Sequence, residues 1–122
     1  MSSSAVAEKT VLVVDDEAGI RRFVRAALVR QGYHVMEAED GVAAYELLHR
    51  LSGAVDAVVT DVKMPRMDGI TLGEKVNAEF PGVEVVYMSG FIAELPKKEI
   101  PLRRFLQKPF GANVLVQRLQ AL

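Results

Sequence analysis

The sequence predicts an α/β domain in which a parallel sheet is covered by helices on both faces. Three observations carry that prediction. Short apolar runs and segments of helical period alternate five times within 122 residues, which calls for parallel strands joined by right-handed crossovers. The runs at Val11-Leu12-Val13-Val14 and Ala57-Val58-Val59 are apolar throughout, as expected of strands buried on both faces. Both lead into acid, at Asp15 and at Asp61, and the carboxyl ends of strands are where open α/β sheets keep their chemistry.

Taken in order, residues 1–9 are small and Ser-rich without the basic-then-apolar pattern of a signal peptide, and read as a flexible tail before a domain over 10–122. The first strand starts at Thr10. Ile20, Phe23, Val24, Ala27 and Leu28 then recur at helical spacing, with Arg21, Arg22, Arg25 and Arg30 mostly on the other face. Gln31-Gly32 ends that helix with a C′ glycine. His34 to about Glu37 is a less apolar strand, suited to an edge. Asp40-Gly41 opens a second helix with Ala44, Leu47, Leu48 and Leu51 on one stripe, and Ser52-Gly53 closes it. The central strand follows and stops at Asp61. After it, Lys63, Met64-Pro65 and Met67-Asp68-Gly69 have turn punctuation and no period, and Asp68-Gly69 is taken as turn chemistry.

Ile70 to Phe80 is a third helix stopped by Pro81-Gly82, and Val83 to Met88 a fourth strand ending in a Ser89-Gly90 turn. Pro96 and Pro101 forbid a continuous helix between Phe91 and Arg104, so the fourth helix is shortened or broken. A turn around Ala93–Leu95 or Lys97–Ile100 is the most that fits. Phe105-Leu106-Gln107 is a brief fifth strand ended by Lys108-Pro109, and Ala112, Leu115, Val116 and Leu119 mark a last helix running to the C-terminus. Five such units fit a flavodoxin-like (βα)5 sandwich of strand order 2-1-3-4-5, with strands 1 and 3 adjacent at the switch point.

Half of the residues are hydrophobic and a quarter charged, the balance of an ordinary globular domain. A formal net charge of −1 argues against nucleic acid or an anionic membrane as the main partner. No run approaches the roughly 20 apolar residues of a bilayer span. The absence of cysteine excludes disulfides and thiolate chemistry and fits a cytoplasmic location.

The expected topology gathers Asp15-Asp16, Asp61, Ser89 and Lys108 at one edge of the sheet. Three carboxylates packed together repel unless something positive joins them. Oxygen ligands of this kind suit Mg²⁺, and Lys108 adds a fixed positive charge while Ser89 offers a hydroxyl donor. The set describes a pocket for a phosphoryl group beside a carboxylate nucleophile, which needs charge neutralised more than it needs a base. Each part has a plainer reading. Asp16 alone reads as the N-cap of the first helix, with Glu17 favoured by the dipole. Ser89-Gly90 alone is a turn, and Lys108-Pro109 alone is a helix start. His34 and His49 lie away from the acidic edge, so no catalytic role is assigned to them.

Four stretches, V-L-V-V-D-D-E, T-D-V-K-M-P-R-M-D-G, V-V-Y-M-S-G and F-L-Q-K-P-F, stand in this order across Thr10 to Leu122. Together they closely resemble the receiver domain of bacterial two-component response regulators, in the CheY-like superfamily. Their wording is similar to receivers attached to hybrid sensor histidine kinases as well as to stand-alone ones. The resemblance implies that Asp61 accepts a phosphoryl group from the phosphohistidine of a sensor histidine kinase or a phosphotransfer protein. It implies Mg²⁺ held by Asp16 directly, by Asp15 largely through water, by Asp61, and by the backbone carbonyl of Lys63. Lys108 would pair with the phosphoryl oxygens, and the bond to Pro109 would be cis. Ser89 and Phe105 take the positions of the switch hydroxyl and the switch aromatic.

The implied protein is a signalling switch, catalysing only its own phosphotransfer and autodephosphorylation, that changes its surface for a downstream protein partner. Phe105 lacks the hydroxyl of the tyrosine often found at that position, so it would report by packing alone. The broken fourth helix bears on the face that commonly serves output or dimerisation, so a homodimer stays open. Lys63 and Phe91 border the site and are candidates for tuning the phosphoryl lifetime. The rivals are a phosphotransferase with an aspartyl-phosphate intermediate, for which the chain has no room for a cap, and a degenerate receiver acting as a scaffold.

Overall fold

The computed structural model describes residues 9–91 and 100–122. Five parallel strands form one sheet: β1 (Thr10–Val14), β2 (His34–Ala38), β3 (Ala57–Asp61), β4 (Glu84–Ser89) and β5 (Phe105–Gln107). Their order is β2-β1-β3-β4-β5, as the alternation predicts. The helices are α1 (Ala18–Arg30), α2 (Gly41–Arg50), α3 (Gly69–Glu79) and α4 (Ala112–Gln120), with a 3₁₀ turn at Leu102–Arg104 before β5. The turns expected around Ala93–Leu95 or Lys97–Ile100 fall mostly or wholly on 92–99, outside the described residues, as does the tail over 1–8.

The strand sequences explain the two layers. Successive strand side chains point to opposite faces, so the apolar runs divide into two cores. Leu12, Val14, Val58, Val85, Tyr87 and Phe105 pack with Leu48 of α2 and Leu72 and Val76 of α3. Val11, Val13, Val59, Val86, Met88 and Leu106 pack with Val24 and Leu28 of α1 and Leu115 of α4. β2 and β5 are the edge strands, and β2 is the least buried of the longer strands. In α1, Phe23 belongs to the apolar stripe by spacing but stands at its rim, exposed, with its ring 6.1 Å from that of Phe110.

Four local expectations shift. Glu17, not Asp16, occupies the cap position of α1, and no side chain caps it. The Asp15 carboxylate takes the Glu17 N–H instead, at 2.9 Å, which leaves Asp16 exposed. Lys108-Pro109 does not start the last helix, whose cap is Gly111. β4 runs one residue further than the apolar pattern, because Ser89 still pairs with β5 and its carbonyl accepts the Lys108 N–H at 2.7 Å. Asp68 is more than a turn residue: its carboxylate caps α3 by accepting from the Thr71 N–H at 2.7 Å.

Gly69 is fixed by close approach. A Cβ there would lie 2.9 Å from the carbonyl carbon of Asp61 and 3.1 Å from the Cα of Val62, both backbone atoms that cannot move aside. Gly69→Ala is therefore expected to destabilise the fold by about 2–4 kcal/mol. A urea melt within about 0.5 kcal/mol of the parent would show that the loop after β3 yields more easily than its packing implies.

Candidate functional site

The order β1-β3-β4-β5 brings the carboxyl ends of four strands to one edge, and the residues singled out from the sequence meet there. Asp15 follows β1, Asp61 ends the adjacent β3, Ser89 ends β4, and Lys108 follows β5. One carboxylate oxygen from each of Asp15, Asp16 and Asp61 lies within 4.8 Å of the others. β5 is separated from β3 by β4, so only a long side chain from its end can reach the acids. The Lys108 ammonium spans that gap, donating to Asp61 Oδ1 at 3.1 Å and to Asp15 Oδ2 at 3.2 Å.

The burial is uneven and chemically informative. Asp15 is fully buried, Asp61 is 8% exposed and the Lys108 side chain 19%. Burial is the main reason that both carboxyls are held above their ordinary range. The Asp15 charge pushes Asp61 further up, while Lys108 pulls both back. For Lys108, burial is the largest single influence and lowers its pKa, but the charges of Asp15 and Asp61 together with their hydrogen bonds leave the ammonium raised. Three carboxylates thus face one ammonium. This hard, oxygen-only donor set with excess negative charge fits a divalent cation such as Mg²⁺.

The two oxygens of Asp61 differ. Oδ1 accepts from the Val62 N–H at 3.0 Å as well as from Lys108, whereas Oδ2 accepts no hydrogen bond among the described residues. Ser89 is 8% exposed, and its Oγ accepts from the Phe91 N–H at 3.1 Å. Phe91 itself is exposed beside the site, and Lys63 is exposed on the loop after β3. The Lys108–Pro109 bond is cis. Phe105 is buried with its ring centroid 5.2 Å from that of Tyr87.

The two histidines stand elsewhere. His34 begins β2, at the end of the sheet remote from the acids. His49 lies on α2, 2.9 Å from Glu79 of α3, which also accepts from the Tyr45 hydroxyl.

Several supporting residues carried no sequence signal. Arg21 donates to the Asp15 carbonyl at 2.6 Å, although its spacing says only that it lies off the apolar stripe. Thr60 donates to the Asp61 carbonyl at 2.9 Å. Arg66 grips Asp40 with two bonds, at 2.9 and 3.1 Å. Gly69, which packs on the Asp61 backbone, did carry one, in the Asp-Gly pair.

Comparison with known proteins gives the same direction. The family model "Response regulator receiver domain" matches residues 11–120. The sensor kinase CckA of Brucella abortus (strain 2308) is 39% identical over 109 residues, covering 87% of this chain but 12% of that protein. The response regulator receiver protein CpdR of the same organism is 33% identical over 115 residues, covering 92% of this chain and 94% of that one. The crystal structure of the CheX–CheY–BeF₃–Mg²⁺ complex from Borrelia burgdorferi contains a chain that superimposes with a TM-score of 0.79 at 25% identity. That match covers 93% of this chain and 87% of the other.

Proposed function

The chain belongs to the response regulator receiver family, whose members are phosphoacceptor domains of two-component systems, and we propose that its phosphoacceptor is Asp61. The observation that supports this reading is that Asp61 shares the Lys108 ammonium with Asp15 and brings a carboxylate oxygen within 4.8 Å of those of Asp15 and Asp16, while its Oδ2 accepts no hydrogen bond among the described residues. In the transfer, Asp61 Oδ2 forms a bond to phosphorus as the P–N bond of a phosphohistidine breaks. The electron pair goes to the imidazole nitrogen, which takes up a proton. Asp15, Asp16, Asp61 and the carbonyl of Lys63 would hold Mg²⁺, which when bound supplies positive charge for the phosphoryl oxygens. Lys108 supplies the second positive charge from the other side.

The switch follows from differential contact. A phosphoryl group on Asp61 gives the Ser89 hydroxyl and the Lys108 ammonium an anionic partner in one state only. Ser89 would then exchange its bond to the Phe91 N–H for one to the phosphoryl group. Phe105, packed on Tyr87, lies one strand away and follows the shift by repacking. Lys63 and Phe91 flank the opening and regulate water access to the acyl phosphate. The donor is a sensor histidine kinase or a phosphotransfer protein, met in the cytoplasm, and the output is a changed protein-binding surface rather than turnover of an external substrate. No helix among the described residues is long and apolar enough to cross a membrane.

Incubation with acetyl phosphate and Mg²⁺, read by intact mass, tests this. One phosphoryl group per chain is expected, with no continuing hydrolysis of an added phosphate ester. Excess chelator should reduce uptake at least 100-fold, since the acid cluster then repels the donor and the equatorial charge goes uncompensated. Uptake undiminished in chelator, or uptake by a chain lacking the Asp61 carboxylate, would remove the proposal.

A further inference from the structure

The loop between β3 and α3 is fastened at two places. At its base the Gly69 N–H donates to the Val62 carbonyl at 2.8 Å, closing the segment Val62–Gly69. At its far side Arg66 reaches out of the loop to the start of α2. Its Nε meets Asp40 Oδ2 at 2.9 Å and its second guanidinium nitrogen meets Oδ1 at 3.1 Å. The neighbouring residues reinforce this second attachment. Gly41 lies so close to Met67 that a Cβ would stand 2.8 Å from that of Met67.

Three features set this pair apart from an ordinary surface ion pair. Asp40 is buried although Arg66 is not, the geometry is a planar fork on a carboxylate, and the same carboxylate caps α2 through the Ala43 N–H at 2.8 Å. The carboxylate is thus held from the helix side before the guanidinium arrives. Arg66 also has φ 71°, in the left-handed region that a non-glycine residue rarely adopts. A γ-turn accounts for that backbone, since the Met67 N–H donates to the Pro65 carbonyl at 2.8 Å across Arg66, and the turn aims the Arg66 side chain out of the loop toward Asp40.

Between the two attachments lies Lys63, whose carbonyl is among the ligands assigned to Mg²⁺ above. We infer that Arg66 is a positioning residue: by clamping the loop tip to the α2 cap, the Arg66–Asp40 pair keeps the segment carrying the Lys63 carbonyl in the shape that serves a divalent cation. The inference rests on the metal reading of the acid cluster. It adds that a residue which touches none of those acids sets how tightly the cation is held.

Charge makes the test decisive. Arg66→Gly removes a positive charge near the acids and also suits the left-handed backbone. Asp40→Asn removes a negative charge while keeping an oxygen to cap α2. If these residues acted on the cation only through their fields, the first variant would bind it more tightly and the second more weakly. Positioning requires both to bind it more weakly.

Calorimetric titration of the full chain with MgCl₂, without phosphodonor and at about 0.15 M ionic strength, should show a loss of about 3- to 10-fold in each variant. The double variant should be no worse than the weaker single one. Arg104→Ala, which breaks the ion pair with Glu84 at the opposite end of the sheet, should leave the affinity unchanged. Opposite shifts in the two single variants, or affinities equal to the parent's, would overturn the positioning role while leaving the metal reading intact. A parent chain that binds no Mg²⁺ would overturn both.

Discussion

Asp61→Asn will take up no phosphoryl group, and at neutral pH without Mg²⁺ it will nonetheless be the more stable protein. The first half follows because an amide oxygen is not a nucleophile toward phosphorus. The second follows from the site's electrostatics. Asp61 is buried, and its carboxyl is raised first by that burial and then by the charge of Asp15. Asparagine keeps an oxygen for the Val62 N–H and removes the repulsion, while Lys108 retains Asp15 as its partner. We expect a gain of about 1 kcal/mol, discounted for the solvent that reaches the edge.

The same burial fixes the sign of the pH dependence. A carboxyl whose folded pKa lies above its unfolded value binds more protons in the folded state. Its contribution to stability is present in full below the unfolded value, near 4, and is lost as pH rises through the raised folded one. Asp15 and Asp61 both act this way. The share of stability that these two carboxyls contribute should therefore fall as pH climbs above about 4, against the opposite contribution of the lowered Asp40 and Glu79, and Asp61→Asn should lose less than the parent, since only Asp15 still acts this way. The raised Lys108 adds a loss only at alkaline pH beyond the ordinary lysine range. Urea melts across this range decide the matter. An unchanged slope together with unchanged or lower stability would mean that Asp61 carries no electrostatic burden from its neighbours.

The fold was largely legible because its cause is local. Runs such as Val11–Val14 contain nothing that could face water, and the acids that end them can only stand at a strand's end. Given alternating elements, handedness and strand order follow from packing rules, and with them the meeting of Asp15, Asp61, Ser89 and Lys108. The features that escaped depend on contacts between segments distant in sequence. Nothing in Arg66 announces a left-handed backbone or a partner 26 residues away. Nor could Asp16 be separated from the capping position by pattern alone, since two adjacent aspartates and a glutamate are all plausible caps. What decided it was that Asp15 turns inward and takes the Glu17 N–H itself. The extension of β4 to Ser89 likewise needed its pairing with β5, which no single-strand pattern contains.

Lys108→Ala should give a fold that is damaged and then rescued by the cation. Lys108 is the only ammonium or guanidinium that pairs with the Asp15 and Asp61 carboxylates among the described residues. Its removal leaves two buried acids facing each other without a counter-charge. Breaking a buried pair from one side costs about 3–5 kcal/mol. The partial exposure of this edge and the readiness of a raised carboxyl to take up a proton bring the expected loss to about 2–3 kcal/mol at neutral pH. The deficit should shrink as pH falls toward the carboxyl range, where protonation removes the repulsion.

Mg²⁺ should act in the opposite sense to ordinary damage. Once the ammonium is gone, the acid cluster has more uncompensated negative charge, so the variant should bind the cation more tightly than the parent and gain more thermal stability from it. A lysine whose role was packing alone would give a loss that Mg²⁺ does not repair. Thermal melts of both proteins, with and without millimolar MgCl₂, separate the two cases. The rescued variant should still take up some phosphoryl group from acetyl phosphate. Its conformational response should be weak, because the contact that distinguishes the phosphorylated state on the β5 side has been removed. A variant with undiminished stability in chelator, or one whose partner binding responds to phosphorylation as fully as the parent's, would show that Lys108 does not link the acid cluster to β5.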